Sequence, residues 1–133
     1  MQGDENVWII DDDKSIRWVL EKALSQEGIH TSTFESGDSA MNKLRNTQPD
    51  VIITDVRMPG TDGMEAARRM ASLEAPPAII FCTAYDHYAI QAFDVHAVAY
   101  LLKPVRREAL TDALNRAGRV NRVQLQALTG KQS

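Results

Sequence analysis

The chain has 133 residues, 44% of them hydrophobic, 25% charged and 6% aromatic, as expected of one globular domain whose core needs no disulfide or structural metal. It contains no apolar run of the roughly 18 residues a membrane-spanning helix needs, and the acidic start MQGDENVW has no apolar stretch of the secretory kind. Its single cysteine allows neither an intramolecular disulfide nor a cysteine-based zinc site, which points to a reducing, cytoplasmic setting.

The net charge of −3 conceals an asymmetry. Residues 1–102 hold 8 basic and 16 acidic side chains, a balance of −8, while residues 103–133 hold 7 basic and 2 acidic ones, a balance of +5. An acidic body with a basic tail is not the basic surface stripe of a nucleic-acid binder, so no direct nucleic-acid contact is expected.

In chain order, apolar runs and helical periods alternate. Val7–Ile10 reads as a strand buried on both faces. Ile16, Val19, Leu20, Ala23 and Leu24 then recur at helical spacing, with Trp18 beside the stripe and partly buried, and Gly28 follows. His30–Phe34 alternates as an edge strand does. Ser36-Gly37-Asp38 opens a short helix marked by Ala40, Met41 and Leu44, and Pro49-Asp50 precedes a buried strand at Val51–Ile53. Pro59-Gly60 forms a loop before a helix carrying Met64, Ala67 and Met70/Ala71. Pro76-Pro77 separates that helix from a buried strand at Ala78–Cys82. Ala89, Ile90, Phe93 and Ala97 mark a fourth helix, Val98–Leu102 a fifth buried strand, and Leu110, Ala113, Leu114 and Ala117 a last helix. After Ala117 the period is lost, which reads as a frayed end or the start of a linker. The pattern is (βα)5, an α/β fold with helices on both faces of a doubly wound, parallel five-stranded sheet.

Ligands of such sheets bind beyond the carboxyl ends of the strands. The first strand runs into Asp11-Asp12-Asp13, the third into Asp55, the fourth into Thr83 and the fifth into Lys103-Pro104. Taken singly, each has a plain explanation, and Asp13 reads as the N-cap of the first helix. Together they bring several carboxylates, a hydroxyl and an ammonium to one rim. Converging carboxylates repel one another unless a cation lies among them; Lys103 supplies one charge and a hard divalent ion such as Mg2+ suits the remainder. A nucleophilic aspartate beside a metal, a lysine and a hydroxyl is equipment for phosphoryl transfer.

Over roughly residues 5–118 the motifs VWIIDDD, IITDVRMPGTDG, IIFCTA and YLLKP resemble the receiver domain of bacterial two-component response regulators. The resemblance implies a flavodoxin-like (CheY-like) sheet of strand order 2-1-3-4-5. It implies Asp55 as phosphoacceptor, with Thr83 and Lys103 binding the phosphoryl group. It further implies Asp11, Asp12, Asp55 and the Arg57 carbonyl around Mg2+ (Asp11 through water), a cis Lys103–Pro104 bond, and Thr83 and Tyr100 as switch residues. The implied partner is a sensor histidine kinase, and the output is transcription regulation. The face formed by the fourth helix, fifth strand and fifth helix would pair two copies, with Arg106 and Arg107 facing Asp86 and Asp94 across subunits or simply solvated. Residues 119–133 would be a tail leading to an output domain, which they are too few to build. No enzymatic turnover beyond self-phosphorylation and autodephosphorylation is implied.

The first 60 or so residues resemble receivers of nitrogen-regulation activators. Those from about 65 to 130 resemble the alginate-regulator, LytTR type, which suggests a composite joined near residues 58–66. Arg57 and Tyr85 either flank the path of an in-line water or are only exposed loop residues. Cys82 reads as core, and His30, His87 and His96 lack ligand spacing. An aspartyl-phosphate phosphatase of the haloacid-dehalogenase type would need a carboxylate where Arg57 stands. A flavin binder would need a neutral loop where Asp11-Asp12-Asp13 stands. A receiver retained only as an interaction module remains the alternative.

Overall fold

The computed structural model describes residues 6–58 and 60–129, with side chains in the last helix only as far as residue 118. The acidic start, Pro59 and the last four residues lie outside the described residues. Ten elements alternate: β1 (Asn6–Ile10), α1 (Lys14–Gln26), β2 (His30–Phe34), α2 (Gly37–Lys43), β3 (Val51–Thr54), α3 (Gly63–Ala71), β4 (Ala78–Thr83), α4 (Ala89–Asp94), β5 (Ala99–Leu102) and α5 (Arg107–Thr129). The five strands form one parallel sheet in the order β2-β1-β3-β4-β5.

The strand period of two divides the core. Val7 and Ile9 of β1 face one side with Ile53, Ile80 and Cys82, covered by Leu20 and Leu24 of α1 and by Leu110, Ala113 and Ala117 of α5. Trp8 and Ile10 face the other with Ile52, Ile79 and Phe81, covered by Ala40 of α2, by Met64, Ala67 and Met70 of α3, and by Ala92 of α4. Each fully buried large aliphatic side chain contributes about 1.5–3 kcal/mol of transfer free energy. This two-sided burial is why the three inner strands are nearly continuous apolar runs.

The helices start where the sequence supplies caps. Asp13 accepts the Ser15 and Ile16 amides at 2.9 and 3.4 Å, Ser36 the Ser39 amide at 3.1 Å, and Asp62 the Glu65 amide at 2.9 Å. α1 ends on Gly28, which adopts φ +76°, a conformation glycine takes without strain.

Four expectations need correction. β5 is buried at Ala99 but only half-buried at Tyr100 and Leu101, because it is the second edge of the sheet. α4 turns Ala92 and Val95 inward and leaves Ile90 81% and Phe93 82% exposed, so the apolar stripe inferred from Ile90 and Phe93 is not the packed one. Trp18 is 59% exposed, with the Lys22 ammonium 4.9 Å above its ring. α5 continues past Ala117 to Thr129. Val120, Val123, Ala127 and Leu128 keep a helical spacing in sequence, and Gly118 alone does not stop a helix so rich in good helix formers. Arg107 has a partner within its own chain, its Nη2 lying 3.4 Å from Glu27 Oε2.

Candidate phosphoacceptor pocket

Parallel strands end at one edge of the sheet, so β1, β3, β4 and β5 deliver Asp11, Asp55, Thr83 and Lys103 to a common rim. Lys103 Nζ bridges the two inner carboxylates, 2.9 Å from Asp11 Oδ2 and 3.0 Å from Asp55 Oδ2. The remaining carboxylate oxygens are held by backbone. Asp11 Oδ1 accepts the Asp13 amide at 2.9 Å, and Asp55 Oδ1 accepts the Val56 amide at 2.7 Å. Arg17 Nη1 donates to the Asp11 carbonyl at 2.6 Å, tying α1 to the end of β1. The peptide bond from Lys103 to Pro104 is cis.

Electrostatics follow from burial. Asp11 is almost fully enclosed, and desolvation pushes its carboxyl above the ordinary 3.8, with Asp55 adding repulsion and the Asp13 amide and Lys103 opposing. Burial alone would depress Lys103, but its bonds to Asp11 and Asp55 outweigh that and raise it above 10.5. Asp12 is the exposed member of the group. One carboxylate oxygen from each of Asp11, Asp12 and Asp55 lies within 4.8 Å of the others, the sole such group of three or more among the described residues. Three hard oxygen donors, one desolvated and repelled by its neighbour, fit a divalent cation of the Mg2+ kind.

Thr83 is fully buried, and its Oγ1 accepts the Tyr85 amide at 3.3 Å. Tyr100 packs its ring 6.0 Å from that of Phe81 and donates its hydroxyl to the Tyr85 carbonyl. Burial pushes the Tyr100 phenol above 10.0. Arg57 leaves the pocket rim sideways, its Nη1 donating to Tyr88 Oη at 2.8 Å. Tyr88 was not singled out in the sequence. It sits 31 positions from Arg57 and only folding joins them. Gly63 closes the IITDVRMPGTDG motif, where no role was read for it: a Cβ there would meet the Asp55 carbonyl oxygen at 1.6 Å and Thr54 Oγ1 at 2.6 Å. Only glycine lets α3 start this close to the end of β3. Cys82 is buried, and desolvation pushes its thiol up to about 11.

Residues 7–115 match the family described as response regulator receiver domain. The chain is 46% identical over 127 residues to the positive alginate biosynthesis regulatory protein of Pseudomonas aeruginosa, covering 93% of this chain and 51% of that protein. It is 38% identical over 112 residues to the DNA-binding transcriptional regulator NtrC of Klebsiella pneumoniae, covering 83% of this chain and 24% of that protein. The chain thus spans about half and a quarter of these relatives. Among solved structures, chemotaxis protein CheY4 of Vibrio cholerae superposes with a TM-score of 0.76 at 31% identity, covering 85% of this chain and 98% of that one. The two sequence matches cover 93% and 83% of the chain, each more than either side of residues 58–66 could supply, so the idea of a composite joined there has no support. No helix among the described residues is long and apolar enough to cross a membrane. The chain belongs to the response regulator receiver domain family, as one of its CheY-like, five-stranded parallel domains.

Proposed function

We propose that this receiver is an active phosphoacceptor switch, with Asp55 as the acceptor. The observation that carries the reading is the Lys103 bridge between Asp11 and Asp55, in a rim where Asp12 completes a hard-oxygen site. An Asp55 carboxylate oxygen attacks the phosphorus of a phosphohistidine on a sensor histidine kinase. The O–P bond forms as the P–N bond breaks, and the histidine nitrogen keeps the electron pair; the proton already carried by the ring's other nitrogen makes the leaving group neutral imidazole. Lys103 holds a phosphoryl oxygen by charge, and Thr83 supplies a hydroxyl donor. Asp11, Asp12, Asp55 and the Arg57 carbonyl would hold Mg2+, Asp11 acting through water; the ion, when bound, neutralises charge on the phosphoryl oxygens.

Thr83 and Tyr100 then act as the switch pair. The Tyr100 hydroxyl is bonded to the Tyr85 carbonyl, so a shift of the Thr83–Tyr85 segment changes what Tyr100 can bind. The face of α4, β5 and α5 reports the change and is the surface for a homodimer. The domain occupies residues 5–118, works in the cytoplasm without enzymatic turnover of its own, touches no nucleic acid, and controls transcription through an output domain.

Acetyl phosphate with Mg2+, followed by intact mass, tests the reading. One added phosphoryl group, lost in Asp55→Asn and without Mg2+, supports it. No adduct from any phosphodonor points instead to a receiver kept only as an interaction module.

A further inference from the structure

Two residues beyond Asp55, the Arg57 guanidinium reaches across to the loop between β4 and α4 and bonds the Tyr88 hydroxyl at 2.8 Å. Tyr88 is the residue that opens α4, and no side chain caps that helix. Its ring is partly buried against the α2–α3–α4 side of the core. It also stacks on His87 at 4.3 Å and meets Tyr85 edge-on at 6.2 Å, so the hydroxyl is a fixed target. The loop is therefore pinned twice, to β5 through the Tyr100–Tyr85 bond and to the acceptor loop through Arg57. α4 itself is poorly anchored: it has six residues, and Ile90 and Phe93 point to solvent. A hydrogen bond at its first residue is thus a large share of what fixes its start.

We infer that the Arg57–Tyr88 bond is a latch that holds the start of α4 against the acceptor loop and opens when Asp55 becomes phosphorylated. The two partners differ in how they value the bond. A neutral phenol is a weak acceptor for a guanidinium, whereas a phosphoryl dianion two residues away is a charge-assisted one, roughly twice as strong. New charge on Asp55 therefore competes directly for Arg57 and releases Tyr88. This route to α4 runs alongside Thr83 and Tyr100 and uses neither. It rests on the phosphoacceptor reading above only for what opens the latch; the closed latch is a property of the unmodified protein.

Hydrogen exchange read by mass spectrometry, on the full chain, tests both halves. The reporters are peptides over residues 86–97, where the Ala92 amide bonds the Tyr88 carbonyl at 3.0 Å and the Ala97 amide bonds the Ala92 carbonyl at 3.1 Å. Without phosphodonor, Tyr88→Phe raises exchange there about three- to tenfold, the effect of losing one net hydrogen bond. Arg57→Gln gives the same rise, and the double variant no more than either. Exchange over β1 and β3 stays unchanged, which excludes global loosening. Acetyl phosphate with Mg2+ lifts the unmutated chain toward the variants' rate and moves the variants little. Unchanged exchange in Tyr88→Phe, or additive effects of the two substitutions, overturns the latch. An intact-mass adduct on the unmutated chain without faster exchange over 86–97 overturns its opening. Absence of any adduct overturns the phosphoacceptor reading, and the opening with it, while the comparison without phosphodonor still decides the closed latch.

Discussion

Replacing Lys103 with methionine keeps the length and apolar stem of the side chain and removes the ammonium that lies 2.9 Å from Asp11 and 3.0 Å from Asp55. Two carboxylates are then left facing each other, with side-chain exposures of only 2% and 10%. Removing one partner of a buried ion pair costs about 3–5 kcal/mol, and the lower figure applies here because the Asp12 side opens to solvent. Against a total stability of about 5–15 kcal/mol the variant still folds. The loss must depend on pH. Asp11 is already raised above 3.8 by burial and by Asp55, and without Lys103 it loses a group that lowers it. A carboxyl raised in the folded state binds its proton more tightly there than in the unfolded chain, so stability falls as pH rises through its folded value. The methionine variant should therefore lose about 3 kcal/mol at pH 7, and less than that at pH 5, where a raised Asp11 carboxyl binds its proton more tightly in the folded chain. Mg2+ should stabilise the variant more than the unmutated chain, since it replaces the missing positive charge. Urea unfolding at the two pH values, with and without Mg2+, measures all of this. An equal loss at pH 5 and pH 7 with no differential Mg2+ response would show that Lys103 acts through packing and refute the electrostatic reasoning.

Gly63→Ala forces a Cβ to 1.6 Å from the Asp55 carbonyl oxygen, so α3 must shift; a loss above about 2 kcal/mol in urea unfolding is expected, and a loss below about 0.5 would show the approach is soft. Lys103 holds its proton above 10.5 in the folded state, so its contribution is complete below that pH and is lost as pH rises through the raised value. The melting temperature should accordingly fall on the alkaline side more steeply for the unmutated chain than for Lys103→Met. Cys82, buried and with its thiol pushed up to about 11, should resist iodoacetamide at pH 8 until the chain is unfolded by urea. Rapid alkylation in the native protein would contradict that burial.

What the sequence revealed and what it concealed divide along a physical line. In an alternating β/α chain the topology itself carries the ends of β1, β3, β4 and β5 to one edge. Asp11, Asp55, Thr83 and Lys103 therefore needed only correct strand ends to be found, and the apolar runs set those ends to within a residue or two. Asp13 was legible for a similar reason, because a cap bonds amides two and three residues away. α4 was not. Its residues do recur at helical spacing, but spacing fixes only that a stripe exists, and the neighbouring elements decide which stripe is buried. Ala92 and Val95 pack beneath α4 while the larger Ile90 and Phe93 stay outside, the reverse of what hydrophobicity alone selects. Tyr88 was hidden for a stronger reason still, since its bond to Arg57 closes a gap of 31 residues between two loops that no periodicity connects. The candidate acceptor site is thus written into strand ends, whereas the start of α4, which the proposed latch would release, is tied to that site's loop by the Arg57–Tyr88 bond. That is the condition under which a single added charge on Asp55 can move one part of the fold without disturbing the rest.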